Sequence, residues 1–298
     1  MRAPGRSGGR LELLAAAALF STGGVAIKST ALSAWQVASL RSGVATLLTI
    51  GLLLLRDRRL PRLTPRSWLV GVAYATTLIC FVVANKLTTA ASAIFLQATA
   101  PLYVLLLSPW LLRERIRRPD LLLMGFLLLG MVLFWVDLEP ASVTAPDPAR
   151  GNVIAIASGF FWGLTLIGLR WLSSGRDEGA GSAGVICGNT LAFLGALPLA
   201  LPFGTLAASD LAAVSYLGSV QIALAYLFLT SGMRRVPAFE ASLLLLLEPV
   251  LSALWAWLIY RERLSLASAL GALLILASTV GKTWVEMRGS RVAAAGVA

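Results

Sequence analysis

Histidine is absent from all 298 residues. That removes imidazole zinc ligands, axial haem histidines and Ser-His-Asp catalysis. Cysteine occurs twice, as Cys80 and Cys187, both inside apolar runs, so no disulfide framework is expected and two packing residues are. Charge is scarce: 13% of residues are charged and 58% hydrophobic, whereas a soluble domain carries about 25% charged residues. Acidic residues are the scarcer sign, 14 Asp and Glu against 25 Lys and Arg, for a formal net charge of +11. In a soluble protein that excess would suggest a nucleic-acid partner. Here the arginines sit in short loops between apolar runs, so membrane topology accounts for them and no nucleic acid is expected.

What the chain has in quantity is long apolar segments, each enough to cross a hydrocarbon core about 30 Å thick. They are solidly apolar, whereas barrel strands alternate over roughly ten residues. The reading is an all-α integral membrane protein. Ten spans are expected, at 11–28, 34–55, 68–86, 89–112, 119–136, 151–172, 182–203, 209–233, 237–260 and 264–285. The basic N-terminus followed by an apolar run imitates a signal peptide. It is read instead as an uncleaved first span, because the run contains Glu12 and ends at Lys28 rather than at a small-residue cleavage site.

Two stretches organise the chain. Ala90 to Arg115 passes through Pro101 and closes on Arg113-Glu114-Arg115; Ala238 to Arg263 passes through Pro249 and closes on Arg261-Glu262-Arg263. One offset of 148 positions aligns them, and an offset of 142 sets Phe20 on Trp162 and Lys28 on Arg170. The chain therefore reads as two copies of one five-span unit, 11–136 and 151–285, joined by an external linker at 137–150, with tails at 1–10 and 286–298. Five is odd, so the second copy enters the membrane inverted, a plan shared by many secondary transporters. Loop charge agrees. With the N-terminus inside, only Lys28, Lys86, Arg150, Arg261 and Arg263 fall outside; Arg41 lies in a span, and the other nineteen of the 25 basic residues are cytoplasmic. Both termini are expected in the cytoplasm.

Two soluble-enzyme motifs carry no function in this context. Gly179-Ala-Gly181-Ser-Ala-Gly184 spells a dinucleotide fingerprint, but no strand precedes it. Gly281-Lys282-Thr283 lacks the first glycine of a phosphate loop, because Leu276 stands there. Gly159-x-x-x-Gly163 and Gly184-x-x-x-Gly188 read as close helix contacts.

Polar groups deep in the spans need a reason, since an ionisable one costs at least about 2.5 kcal/mol there. Arg41, about two turns into the second span, either holds a carboxylate of the cargo or of a partner acid, or is structural, snorkelling outward or capping carbonyls. Its repeat partner is the uncharged Asn189. Glu248 falls near mid-membrane and suits a proton carrier; alternatively it satisfies the carbonyl freed by its neighbour Pro249. Glu240, in the first turn after Pro237, suits the helix dipole and can meet Arg234 or Arg235. Pro101 and Pro249 interrupt spans at matching positions, and such interruptions point to a central binding site. Tyr74, Asn85, Gln97, Thr99, Tyr103, Trp162, Gln221 and Tyr226 surround them in sequence, each a cavity candidate or an interhelical packing residue.

These residues resemble the EamA-type branch of the drug/metabolite transporter superfamily over about 11–285. The resemblance is carried by Phe161-Trp162-Gly163 with Arg170, by Leu247-Glu248-Pro249-Val250, and by Tyr260-Arg261-Glu262-Arg263-Leu264. In the first half it is carried by Ala90-Ala91-Ser92-Ala93, Gln97, Pro101 and Glu114, with Arg41 where the family often has an arginine. The departures are Phe20-Ser21 in place of Trp-Gly, and Arg113 and Arg261 in place of glycine. The resemblance implies ten helices in two inverted repeats, alternating access, and export of small metabolites such as amino acids or amphipathic drugs across a bacterial inner membrane. It implies no enzyme activity and no cofactor. The expected partners are a small-molecule substrate, the lipid bilayer and, if transport is coupled, protons; the chain is a monomer or a homodimer. A nucleotide-sugar or phosphosugar antiporter, a channel and a non-transporting sensor remain alternatives.

Overall fold

Local signals place the helix starts. In this computed structural model residues 6–112, 118–135, 145–174 and 179–260 are described, with scattered positions between 266 and 277. Ser33 caps α3 (Ala34–Asp57), with its side chain accepting from Gln36 N and Gln36 returning the bond. Thr64 does the same with Ser67 at the start of α4 (Pro65–Leu87), where Pro65 occupies a first-turn position that needs no N–H. Asp147 caps α8 (Pro148–Ser173) by accepting from Arg150 N at 3.1 Å.

The first and fourth spans are each split in two. The first runs as α1 (Arg6–Phe20) and α2 (Gly23–Lys28), and the fourth as α5 (Ala90–Gln97) and α6 (Ala100–Leu111). Then come α7 (Arg118–Trp135), α8 and α9 (Ala180–Ala200). The eighth span comprises α10 (Ala208–Tyr216), a π-helical segment (Leu217–Leu224) and α11 (Ala225–Met233). The ninth is again split, into α12 (Ala238–Leu244) and α13 (Leu247–Tyr260).

Among the described residues, eight spans are long and apolar enough to cross a membrane: Ser7–Lys28, Ala34–Leu55, Pro65–Leu87, Ala90–Leu111, Pro148–Ser173, Ala180–Ala200, Ala208–Met233 and Ala238–Tyr260. The chain is a multi-pass helical membrane protein. The α7 helix stands where the fifth span was expected. Most of the expected tenth span, most of the 137–150 linker and both Arg-Glu-Arg loops lie outside the described residues.

The interruptions in the fourth and ninth spans fall just before the prolines, not at them. Pro101 and Pro249 both occupy the first turn of a second half-helix, where a missing N–H costs nothing. The chain crosses each break on tighter bonds, Thr99 N to Leu96 O at 3.2 Å and Leu246 N to Leu243 O at 3.1 Å. The break in the first span was not expected. Ser21 and Thr22 there turn their hydroxyls back onto Ala18 O (2.7 Å) and Leu19 O (2.8 Å), which competes with the helical ladder. The ninth span holds this break open from the side: Ser252 Oγ donates to Ser21 O at 2.8 Å and Trp255 Nε1 to Ser21 Oγ at 3.0 Å. The aligned position in α8 has Gly163 after Trp162 and stays helical.

The two halves interlock. The fourth and ninth spans cross antiparallel, α5 against α13 and α6 against α12. Other pairings are reciprocal: the first span packs on the eighth as the sixth packs on the third, and α3 lies against α9. Both glycine pairs of the sixth and seventh spans sit at close contacts. A Cβ on Gly163 would lie 3.0 Å from Tyr103 Cβ, and one on Gly188 would overlap the Tyr74 ring.

At the N-terminal ends of the first and ninth spans, Arg10 pairs with Glu240 at 2.6 Å. Arg235, one of the two partners expected for Glu240, reaches Glu12 at 3.2 Å. Both ion pairs bridge the two halves, so buried charge is matched where the spans converge.

Candidate functional site

The three breaks bring loose backbone and polar side chains to the middle of the protein. Two small cavities meet there, and Gln97, Trp162 and Glu248 line both. One reaches along the fourth and ninth spans past Pro101, Ser242 and Pro249; the other opens toward Phe20, Thr77, Phe81 and Tyr226. They measure about 20 and 30 Å³, room for one or two waters each and too little for a metabolite. The conformation is closed around its centre.

Aromatic rings form the wall. Phe20 meets Trp162 edge-on at 6.1 Å between centroids and Tyr226 at 5.0 Å, and Tyr226 meets Trp162 at 6.2 Å and Tyr74 at 4.5 Å. Edge-to-face pairs are favoured by the ring quadrupole and leave faces available to a ligand. Phe20 escaped the site residues expected from sequence, although its alignment with Trp162 was the available signal. Phe81 and Ser242 had no such signal, because nothing in the pattern distinguishes them from core.

Behind the cavities runs a hydrogen-bonded chain. Gln97 Nε2 donates to Ser158 Oγ at 2.8 Å, and Ser158 Oγ donates to Thr77 O at 3.3 Å. Glu248 is buried and its carboxyl has no hydrogen-bond or ion-pair partner among the described residues. The carbonyl it was expected to satisfy beside Pro249, Leu245 O, accepts instead from the Glu248 backbone N–H at 2.9 Å.

Of the expected site residues, the structure thus gathers Gln97, Trp162, Tyr226, Glu248, Pro101 and Pro249 around one centre, with Tyr74 stacked behind Tyr226. Arg41 does not line either cavity. It is 1% exposed, so it does not snorkel, and its Nη2 donates to Leu78 O at 2.9 Å while Nε and Nη1 have no hydrogen-bond partner among the described residues. Asn189 donates to Tyr74 Oη at 3.3 Å and to Val185 O at 3.1 Å. Asn85 donates to Phe81 O at 2.9 Å, and Gln221 lies against Gly23, beside the first break. Thr99 donates to Leu96 O at 2.8 Å and packs against Gly159. These last four line neither cavity.

A multi-pass helical protein with broken spans crossing at a central cavity has the build of a membrane transporter. Comparison with known proteins agrees. The EamA-like transporter family model matches residues 8–136 and 149–283, and the chain belongs to that family. An uncharacterized transporter of Archaeoglobus fulgidus is 28% identical over 226 residues, which is 72% of this chain and 76% of that protein. A solved crystal structure superposes with a TM-score of 0.72 at 23% identity, covering 95% of this chain and 98% of that one; this is a likeness of fold.

Proposed function

We propose that this transporter is a gradient-driven exporter of small metabolites, amino acids or amphipathic drugs, working by alternating access between two inverted five-helix repeats. The observation that carries this reading is the antiparallel crossing of α5–α6 and α12–α13, with both breaks beside one small cavity. Paired breaks at one point let two half-helices swing on either side of a fixed site, and irregular backbone at that depth is tolerated only where it is buried or lines a cavity. The reciprocal pairing of spans between the halves supports the inversion. A nucleotide-sugar or phosphosugar antiporter fits less well, since no Lys or Arg among the described residues lines either cavity.

Counterflow tests this reading. Purified protein in sealed proteoliposomes preloaded with a mixture of amino acids and organic cations is expected to accelerate uptake of the same labelled solute, with saturation. Linear, non-saturating flux would make the protein a channel, and no flux for any solute would make it a sensor.

The membrane proposed is a bacterial inner membrane with both termini cytoplasmic, on the strength of the arginine asymmetry. Reporter fusions are expected to place 56–67 and 113–118 inside, and 137–150 and 261–263 outside. Both Arg-Glu-Arg loops on one side would overturn the inversion.

A further inference from the structure

The charged group lining the central cavities, Glu248, is an acceptor, and no Lys or Arg lines them among the described residues. Two of the hydroxyl protons lining them are already spent on backbone: Thr77 Oγ1 donates to Ala73 O at 2.9 Å and Ser242 Oγ to Phe239 O at 2.7 Å. The direction of the Gln97 amide follows from its neighbour. Ser158 Oγ has one proton, and at 3.3 Å it faces Thr77 O, an atom that can only accept. Ser158 must therefore accept from Gln97, so Nε2 faces Ser158 and Oε1 turns toward the cavity. Glu248 lines the same space without a partner among the described residues. The rings of Phe20, Trp162 and Tyr226 complete the wall. The Tyr226 hydroxyl is engaged with that of Tyr74, and the Trp162 indole N–H is a neutral donor. The nearby cation, Arg41, is held on Leu78 O and does not line either cavity.

We infer that the cavity seats the protonated amine of the cargo, with Glu248 as counter-ion, Gln97 Oε1 as second acceptor and the three rings as π faces. An ammonium brings three donors and a charge that ring faces attract. A carboxylate or phosphate head would bring acceptors against acceptors. The present volume suits the head group alone, so the rest of the cargo enters only as the half-helices part. Arg41 is then a positioning residue that holds the third span behind Tyr74. This assignment rests on the transporter reading and adds to it the chemistry of the cargo's head.

The test is calorimetric titration of the full chain in detergent, against empty micelles, with three solutes of one apolar body: 2-phenylethylamine, 2-phenylethanol and 3-phenylpropionate. The amine is expected to bind at least about tenfold more tightly than the alcohol, the scale of a buried charge-assisted bond, and the carboxylate not at all. Glu248→Gln, which keeps shape, is expected to weaken the amine about tenfold while leaving the alcohol unchanged. Gln97→Leu is expected to weaken the amine several-fold, and Arg41→Met to leave it within about threefold. Equal binding of amine and alcohol would overturn the inference. So would a carboxylate that binds best and is lost in Arg41→Met, and the ranking in the unmodified protein decides this even if a variant misfolds. Counterflow of neutral or anionic solutes without amine preference would sink this inference alone. Amine binding as described with no counterflow would sink the transporter reading alone.

Discussion

Glu248→Gln is expected to abolish the response of export to an imposed pH gradient while leaving exchange at saturating cargo in place, with a raised KM. On the exporter reading proposed above, transport is expected to draw on a gradient, either the cargo's own or a coupled ion's. Proton coupling needs a side chain that changes protonation during the cycle, and histidine is absent. Among the described residues Glu248 is the one carboxyl lining the central cavities, sitting in the first turn of α13 beside the break at Leu245 and Leu246. The other titratable group facing it is the Tyr226 hydroxyl, from the eighth span. A break on that helix can expose the carboxyl to either side in turn.

The sign follows directly. With the outside more acidic, a proton taken up there and released inside drives cargo outward, so export rises as the external pH falls. Glutamine keeps the volume and the hydrogen-bonding capacity but cannot carry the proton, so the variant should export at the same rate at every imposed gradient. Export by reconstituted protein, measured against stepped external pH, decides the matter. A protein that ignores the gradient is a facilitator. Equal responses from both forms would place the proton site elsewhere.

Gly159→Leu is expected to lower thermal stability markedly and to cut transport at least about tenfold. Here α8 crosses the break in the fourth span backbone to backbone. A Cβ on Gly159 would lie 3.0 Å from both Leu96 O and Gln97 O, and closer still to Thr99 Oγ1. Backbone cannot give way as a side-chain tip can, so a larger residue pushes the helix off the break. Overpacking of this kind costs about 1–3 kcal/mol, occasionally more. The same shift would part Gln97 from Ser158, which sits one residue before Gly159. Gly195→Leu is the control, because the nearest atom to its Cβ would be Ile79 Cδ1 at 3.9 Å. Melting curves of the two variants in one detergent compare them. Equal melting temperatures would mean that the α8 contact is not needed to hold the fourth span.

Much of this could be read from the residues in order. Hydropathy alone marks the spans, because hydrocarbon demands some 20 apolar residues per crossing. Repetition of Pro101 and Pro249 at one offset located two of the three breaks within a few residues, since proline restricts where a helix can resume. Phe161-Trp162-Gly163 and Leu247-Glu248-Pro249 were enough to suggest the family, which the family match over most of the chain bears out.

Other features depended on atoms that meet only after folding. The break at Ser21 and Thr22 has no proline to announce it; it needs Ser252 and Trp255, more than 200 positions away, to satisfy what the bend exposes. Arg41 and Glu248 look alike in sequence, each an isolated charge in an apolar span. Tertiary packing separates them, turning the arginine onto Leu78 O and leaving the carboxyl at the cavity. The orientation of Gln97 is set by Ser158 and Thr77 on two other spans. Periodicity and composition are local properties that a single chain segment displays by itself. Which polar group is satisfied and which is left for a ligand is a balance of partners from several spans, and only the assembled helices decide it.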